Sequence, residues 1–180
     1  AAQVLNRAFN SSYTGGDAKE LCATDHPTMA ADVRNELTTA ADLSEVSLEQ
    51  CIIDIADIRD NRGLRIKVLP KVLIVPSALA FEAVRLVASD LRPSSADHDV
   101  NALKHMGLLQ GPIIVNPYLT DTDAFFMLTS APEGLKHYQR RPLEVSIDNE
   151  FDTENAKFKA TERYSFSWTD FRGVFGSPGA

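Results

Sequence analysis

The stretch RPLEVSIDNEFDTENAKFKATERYSFSW, residues 141–168, alternates apolar and polar side chains in both of its halves. Such alternation is typical of β-strands, because successive side chains point to opposite faces of a sheet. In the first half, one face carries Leu143, Val145 and Ile147. The even positions of the second half carry Ala156, Phe158, Ala160, Tyr164, Phe166 and Trp168. The pattern predicts a hairpin whose second strand extends for roughly 40 Å at about 3.3 Å per residue.

The apolar face of this hairpin needs a cover, since a row of large apolar side chains is unfavourable in water. The predicted hairpin core consists of Phe158, Tyr164, Phe166 and Trp168. A long helix is the natural cover, and AQVLNRAF at residues 2–9 has the pattern of the last turns of a helix. These turns span only about 13 Å at 1.5 Å per residue. We therefore expect the natural protein to extend upstream of Ala1 with a long amphipathic helix.

The sequence pattern outside the hairpin predicts an α/β layer, in which helices pack on strands. Residues 10–42 are polar and predict a long ordered loop, and residues 89–112 predict a second polar loop. A helix is predicted over residues 47–63, with Ser47 and Gln50 as a capping box and Asn61 and Gly63 at its end. A second helix is predicted over residues 78–89. Predicted strands are RIKV at 65–68, KVLIVP at 71–76, IIVNPYL at 113–119 and AFFMLTS at 124–130.

Composition limits the function. The chain has 180 residues, a net charge of −7 and a pI near 5.0, which argues against a surface dedicated to gripping nucleic acid. No apolar run approaches the roughly 20 residues of a membrane-spanning helix. Cys22 and Cys51 lack the spacing of a disulfide scaffold, so we expect free thiols and an intracellular origin.

Three groups of residues raise the question of metal or catalytic chemistry. Cys22 and His26 form half of a zinc-site pattern, but no second pair follows at finger spacing. The sequence Asp97-His98-Asp99 lies in a polar loop without a nearby nucleophile, which favours a solvated loop. A third pair, Asp121 and Asp123, has a two-carboxylate spacing that turn chemistry explains adequately.

Charged residues are also predicted on one side of the first helix and on one face of the aromatic strand. The predicted polar side of the first helix carries Asp54, Asp57 and Asp60, and we expect it to face solvent or another subunit. The aromatic strand at 156–168 is also compatible with a base-stacking platform, but its basic residues lie on the opposite face. These residues are Lys157, Lys159 and Arg163. Core packing is therefore the favoured interpretation of the aromatic side chains.

Four stretches together resemble the C-terminal part of a tailed-phage major capsid protein, whose fold is shared with herpesvirus shell floors and encapsulins. They are NRAFNSSYTGGDAKELCATDHP, ADLSEVSLEQCIIDIADIRDNRGLRI, VNPYLTDTDAFFML and NAKFKATERYSFSWTDFRGVFGSPGA. The resemblance implies the α+β Johnson fold of these proteins. It divides the chain into the end of a spine helix with a peripheral-domain loop at 1–40, an axial domain at 41–128, a long peripheral-domain hairpin at 129–170 and a returning C-terminal strand at 171–180. The family's N-terminal arm, extended loop and most of the spine helix have no counterpart here.

The resemblance implies a non-enzymatic structural subunit of a bacteriophage icosahedral capsid, without a cofactor or metal. Hexamers and pentamers of the chain would enclose double-stranded DNA, which would make only weak nonspecific contacts. Other implied partners are portal, scaffold and head-decoration proteins, with no membrane. The implied location is the virion, after assembly in the host bacterial cytoplasm. By the same resemblance, the candidate subunit-interface residues are Asp97, His98, Asp99 and Asn101.

The alternative is a small α/β hydrolase or a metal-dependent enzyme. Its reactive groups would be Asp121, Asp123 and His98. Convergence of these three side chains in one pocket would favour the enzyme, whereas separate positions on loops would favour the structural protein.

Overall fold

The structure is a computed structural model that describes residues 2–92, 99–109, 111–149, 152 and 155–180. It confirms the α+β class. The helices are α1 (Ala2–Leu5), α2 (Glu45–Ala56), α3 (Ala80–Ala88) and α4 (Ala102–His105), with 3₁₀ turns at Ser77–Leu79 and Phe171–Gly173. The strands are β1 (Pro70–Val75), β2 (Ile113–Val115), β3 (Phe125–Thr129), β4 (Leu135–Asn149), β5 (Ala156–Trp168) and β6 (Val174–Ser177).

A four-stranded sheet in the order β2-β1-β3-β6 forms the body of the chain. The β1–β2 pair is parallel, and the other two pairs are antiparallel. Alternate residues of β3 enter two separate cores: Phe125 packs with the residues of α2 and α3, whereas Phe126 packs with α1 and the hairpin. Because both faces are covered, the central strands are almost continuously apolar.

Helix α2 begins at Glu45, two residues before the predicted start at residue 47. Its N-cap is Ser44, whose side chain accepts a hydrogen bond from the Ser47 amide at 3.2 Å, and the Ser47 hydroxyl accepts one from the Ser44 amide at 2.9 Å. The predicted capping box of Ser47 and Gln50 is therefore wrong, because Ser47 occupies the third helical position instead of the cap. The helix ends at Ala56, before the predicted Asn61 and Gly63.

Residues 65–68 do not form the predicted strand and make only an isolated bridge between Arg59 and Arg65. A tight turn precedes this segment, in which the Asp60 carboxylate accepts hydrogen bonds from the amides of Arg62 and Leu64, both at 2.8 Å. Gly63 adopts a φ of +85° in this turn. The second predicted loop also differs from expectation, since it contains the short helix α4.

Strands β4 and β5 form the predicted hairpin, with 15 and 13 residues. The register places Val145 opposite Ala160 and Ile147 opposite Phe158, so the alternating apolar residues share one face. Two register shifts, one between Gln139 and Arg141 and one between Arg141 and Glu144, accommodate the two additional residues of β4.

The hairpin root is fixed to the sheet through the segment that precedes β6. The amide of Asp170 donates to the carbonyl oxygen of Glu133 at 2.9 Å, and the Thr169 hydroxyl donates to the same oxygen at 2.8 Å. Gly134 and Gly173 meet backbone to backbone, and a Cβ atom on either would clash. The chain therefore passes from hairpin to β6 through a close-packed junction.

Candidate functional site

The predicted hairpin core separates into a covered root and an open tip. At the root, Trp168 is 9% exposed and packs against Tyr13 at a ring-centroid distance of 5.6 Å. Phe166 is partly buried and stacks on His137 at 4.7 Å. Towards the tip, Phe158 is 73% exposed and Tyr164 is 55% exposed. Only the root residues of the predicted set are therefore core residues within the described part of the chain.

The open part of this face, which we call the tip surface, consists of cross-strand neighbours on β4 and β5. Its apolar members are Leu143, Val145, Ile147 and Phe158, each more than 60% exposed. Exposed Tyr164 lies between the tip surface and the root. A continuous exposed apolar row of this kind is typical of a surface that binds another protein segment.

A groove of about 680 Å³ continues the tip surface towards α1. Tyr164 and Phe166 line one side, and Arg7 and Tyr118 lie among the residues opposite. The Arg7 guanidinium lies 5.2 Å from the centre of the Tyr13 ring, which also borders the groove. The groove thus joins the hairpin to the N-terminal helix.

A smaller apolar stripe runs along α3. Phe81 is 76% exposed and Val84 is 50% exposed, and their spacing of three residues places them on one face of the helix. Ala83 and Leu86 point into the core from the opposite face. This stripe is a second candidate contact surface.

The candidate interface loop is only partly described, because Asp97 and His98 lie outside the described residues. The carbonyl oxygen of Asp99 accepts a hydrogen bond from the Arg92 amide at 2.8 Å, and a bridge pairs Leu91 with Val100. Residues 91–92 and 99–100 therefore lie antiparallel and are joined by one isolated bridge.

Asn101, the fourth predicted interface residue, is 1% exposed. Its amide nitrogen donates to the carbonyl oxygens of Leu86 at 2.7 Å and Ser89 at 3.1 Å, and its oxygen accepts from the Leu103 amide at 3.0 Å. The side chain thus caps α4 and fastens it to the end of α3. Within the chain it is an internal brace that positions the loop.

Ion pairs hold the base of the same loop to the body. The Lys104 ammonium lies 2.5 Å from the Asp90 carboxylate and lowers its pKa. The Arg92 guanidinium lies 2.7 Å from Glu45 in the first turn of α2, and this contact raises the pKa of Arg92. The loop base is therefore positioned by both α2 and α4.

The carboxylates suspected of catalysis serve local structure. The Asp121 carboxylate accepts a hydrogen bond from the Asp123 amide at 3.1 Å, as the turn interpretation predicted. Convergence with His98 is not observable, because that residue is outside the described part of the chain. Among the described residues, no group of three or more His, Cys, Asp or Glu side chains is arranged to hold a metal ion.

The prediction that the acidic side of α2 faces solvent or a neighbour is wrong for Asp54. Its side chain is 5% exposed and accepts hydrogen bonds from Arg34 at 2.7 Å and Gln50 at 2.9 Å. The physical reason is that the 10–42 segment folds over α2 and brings Arg34 to it. Asp57 agrees better with the expectation, since it forms an exposed ion pair with Arg65. Asp60 is half-buried, and its carboxylate accepts the turn amides of Arg62 and Leu64.

Cys22 and Cys51 are free thiols, as predicted, and both are buried. Burial raises the pKa of Cys22 well above its usual range, and it raises the pKa of Cys51 to about 12. A protonated thiol is a poor nucleophile and a poor metal ligand. Both side chains therefore act as small apolar core residues.

One buried polar cluster was not predicted from the sequence. His26, suspected as half of a zinc site, is fully buried and lies between Asp17 and Asn35. Asp17 and Asn35 both lie in the 10–42 segment, which is rich in Asp, Asn and Ser. In such a segment the sequence does not distinguish a turn residue from a buried hydrogen-bonding residue. Only the tertiary contact distinguishes them.

Comparisons with known proteins add the following findings. A family model described as phage capsid protein matches residues 1–176. A solved chain described as Mycobacterium phage Che8 is similar at 20% identity, with a TM-score of 0.46, covering 81% of this chain and 54% of that one. A virus-like particle from Pyrococcus furiosus is similar at 9% identity, with a TM-score of 0.44, covering 79% of this chain and 55% of that one. This chain thus spans about half the length of those chains. A search of curated proteins found no match.

Proposed function

Because the chain belongs to the phage capsid protein family, we propose that it is a structural, non-enzymatic subunit of a bacteriophage icosahedral capsid. Copies of the chain assemble into hexamers and pentamers that enclose double-stranded DNA. The observation that carries this proposal is the family match over residues 1–176. The corresponding location is the virion, after assembly in the host bacterial cytoplasm.

The distribution of apolar surface supports self-association. The tip surface and the α3 stripe lie on different elements, and each exposes large apolar side chains. A subunit of a closed shell needs more than one contact surface, because each copy touches several neighbours. The described helices include none that is long and apolar enough to cross a membrane.

We propose a structural role in the capsomer for each segment of the chain. The 41–128 segment acts as the axial domain at the centre of a capsomer, the 1–40 and 129–170 segments act as the peripheral domain, and 171–180 returns to the axial domain. The pairing of β6 with β3 supports the last assignment. Portal, scaffold and decoration proteins are further proposed partners, and contacts with packaged DNA are weak because the chain has a net charge of −7.

The loop at 97–103 is proposed to lie at a contact between neighbouring copies near a symmetry axis. Replacing Asp97 and Asp99 with Lys is expected to change capsomer formation, measured by native gel electrophoresis and electron microscopy, while circular dichroism stays unchanged. The matched control is Asp32→Lys, an exposed carboxylate on the 10–42 segment. Unchanged assembly by the double variant would place the loop elsewhere.

Electron microscopy of native particles tests the proposal itself. Particles purified from their natural source are imaged in negative stain, and their main protein is identified by mass spectrometry. We expect polyhedral shells whose main wall protein contains this sequence. The proposal fails if the sequence is a minor component or belongs to a non-polyhedral particle.

A further inference from the structure

A groove of about 510 Å³, which we call the junction groove, lies where the body of the chain meets the hairpin root. Its apolar lining comes from the segment before β1 and from the segment between β3 and β4: Ile66, Val68, Ala131 and Pro132. The volume is within the range of about 300 to 1,000 Å³ that is typical of binding pockets. The junction groove is therefore large enough to receive a large side chain from another molecule.

Hydrogen bonds within the chain hold the walls of the junction groove in place. The Arg172 guanidinium donates from Nε to the carbonyl oxygen of Arg59 at 2.8 Å and from Nη2 to Oδ1 of Asn61 at 2.9 Å. After the end of β3, the Leu69 amide donates to the Ser130 hydroxyl at 3.0 Å, and the Ser130 amide donates to the Leu69 carbonyl oxygen at 2.8 Å. A preformed groove binds a partner at a low cost in conformational entropy.

The charge of the junction groove favours an acidic partner. Its basic lining residues are Arg62, Lys67 and Arg172, and its acidic ones are Asp60 and Asp170. Both carboxylates are already bound, Asp60 by two turn amides and Asp170 by the Arg172 guanidinium at 3.2 Å. Arg62 and Lys67 are exposed, and no ion pair between described residues includes either of them. These two cations are therefore available to a carboxylate from outside the chain.

The α3 stripe of Phe81 and Val84 carries the complementary chemistry. Phe81 is 76% exposed, and a large exposed aromatic side chain is typical of the anchor of a protein contact. Glu82, between the two apolar residues, is exposed in the first turn of α3 and belongs to no ion pair of the described residues. An aromatic side chain next to a carboxylate thus matches an apolar groove with two available cations.

The stripe and the junction groove lie at opposite ends of β1. The groove borders the residues just before the strand begins at Pro70, whereas α3 follows the last strand residue, Val75, after a 3₁₀ turn. A strand of this length spans about 20 Å at about 3.3 Å per residue. Because Phe81 is largely exposed, it does not occupy the groove of its own chain. The contact therefore requires a second copy.

We propose that the α3 stripe of one copy binds in the junction groove of the next copy, with Phe81 against the apolar lining and Glu82 paired with Arg62 and Lys67. A contact between two different surfaces is heterologous, so successive copies form a ring where the rotation closes. The inference rests on the proposed function, in which each chain is surrounded by copies of itself. It assigns the residues that join neighbours within a capsomer.

Carbodiimide crosslinking of the polyhedral particles purified for microscopy tests this contact directly. The reagent joins a carboxylate and a lysine that form an ion pair, through an amide bond, and takes up the water released. We expect a dimer band in which mass spectrometry finds Glu82 linked to Lys67. Polyhedral shells in which Lys67 is unlinked, or linked to a different carboxylate, overturn the contact and leave the proposed function intact.

Charge reversal in the 180-residue chain provides a second test. The groove variant carries Arg62→Glu with Lys67→Glu, and the stripe variant carries Glu82→Lys. Each variant alone sets like charges against each other at the contact, whereas equal amounts of the two restore opposite charges. At about 0.1 M salt we expect the mixed pair, measured by energy transfer between dyes, to associate about tenfold more tightly than either variant alone. The gain should disappear at about 1 M salt, where charges are screened within about 3 Å.

The matched control makes the same changes of charge away from both surfaces. It mixes Lys159→Glu with Arg163→Glu, on the polar face of the hairpin, with Asp32→Lys on the 10–42 segment. Association through the tip surface is common to all variants and cancels in the comparison. No gain in the first mixture, or an equal gain in the control mixture, overturns the contact.

Phe81→Ala identifies the surface that the stripe binds. The side chain is largely exposed, so we expect an unchanged circular dichroism spectrum and association between the groove and stripe variants that is weaker by about tenfold or more. Weaker association caused by Phe81→Ala without any effect of the charge reversals would mean that the stripe packs on another surface, such as the stripe of a second copy. That result would overturn the assignment of the junction groove.

Discussion

At the scale of single residues, Glu36 predicts a pH dependence of its own. Its carboxyl is half-buried near Glu20, and its pKa is raised from 4.5 to about 7, first by burial and then by the Glu20 charge. The folded chain binds this proton more tightly than the unfolded chain. The stabilisation is therefore complete below about pH 4.5 and is lost as the pH rises through 7.

We expect Glu36→Gln to be more stable than the parent at pH 8 by about 1 kcal/mol, and nearly equal to it at pH 5. The full shift would correspond to about 3 kcal/mol, but solvent screening of a half-exposed group reduces it. Urea unfolding at both pH values measures the difference, with Glu20→Gln as a control that removes only the charge repulsion. An unchanged gap between the variants at the two pH values would contradict the prediction.

Single polar residues show which hydrogen bonds can be predicted from the sequence. Asp121 was correctly interpreted as a turn residue, because its hydrogen bond to the Asp123 amide is local. Asp54 was placed on a solvent-facing or subunit-facing side, because its partner Arg34 is 20 residues away in sequence. Asn101 was assigned to an interface by resemblance, yet its amide is used within the subunit. Local hydrogen bonds can be predicted, whereas distant partners cannot.

At the scale of elements, the hairpin should respond differently at its two ends. Trp168 at the root is 9% exposed, and Phe158 near the tip is 73% exposed. We expect Trp168→Ala to lower the free energy of unfolding of the isolated chain by about 3 to 5 kcal/mol. Phe158→Ala should lower it by less than about 1 kcal/mol, because little apolar contact is lost.

Denaturant unfolding of both variants tests this contrast, with hydrogen exchange of the β5 amides reporting whether the hairpin itself persists. Equal losses at the two positions would mean that the tip surface is covered within the chain. A loss at Phe158 larger than at Trp168 would reverse the assignment of root and tip.

At the scale of the whole molecule, the open tip surface predicts self-association. Burying one large side chain is worth roughly 1.5 to 3 kcal/mol, so several exposed neighbours provide a strong drive to associate. We expect the isolated 180-residue chain to bind a hydrophobic dye and to form aggregates or hairpin-swapped oligomers, measured by fluorescence and analytical ultracentrifugation.

A matched pair of variants locates the effect. Ile147→Glu with Phe158→Lys replaces a directly opposed apolar pair with an ion pair, and it should reduce both dye binding and association. Ser146→Glu, opposite Lys159 on the other face, leaves the tip surface intact and should change neither. A monodisperse parent that binds no dye and protects its amides from 156 to 168 would count against both the open tip surface and the capsid proposal.

The sequence by itself determined the local elements: the alternation in β4 and β5, the apolar runs of β1 and β3, and the helical spacing in α2 and α3. These patterns can be predicted because each follows from the geometry of one strand or one helix. The position of the α2 cap was missed because Ser44 and Ser47 are both favoured N-cap residues. The strand predicted at 65–68 is absent, and only Arg65 forms an isolated bridge there.

Tertiary structure alone decided which side chains are covered and which polar groups meet. Phe158 and Trp168 have the same parity on β5, but only Trp168 lies where the 10–42 segment and α1 pack over the hairpin root. Asp17, His26 and Asn35 become one buried cluster because Phe171 and β6 return across more than 130 residues. Burial and hydrogen bonding between distant segments depend on the path of the whole chain. A short sequence pattern does not predict that path, because it contains only neighbouring residues.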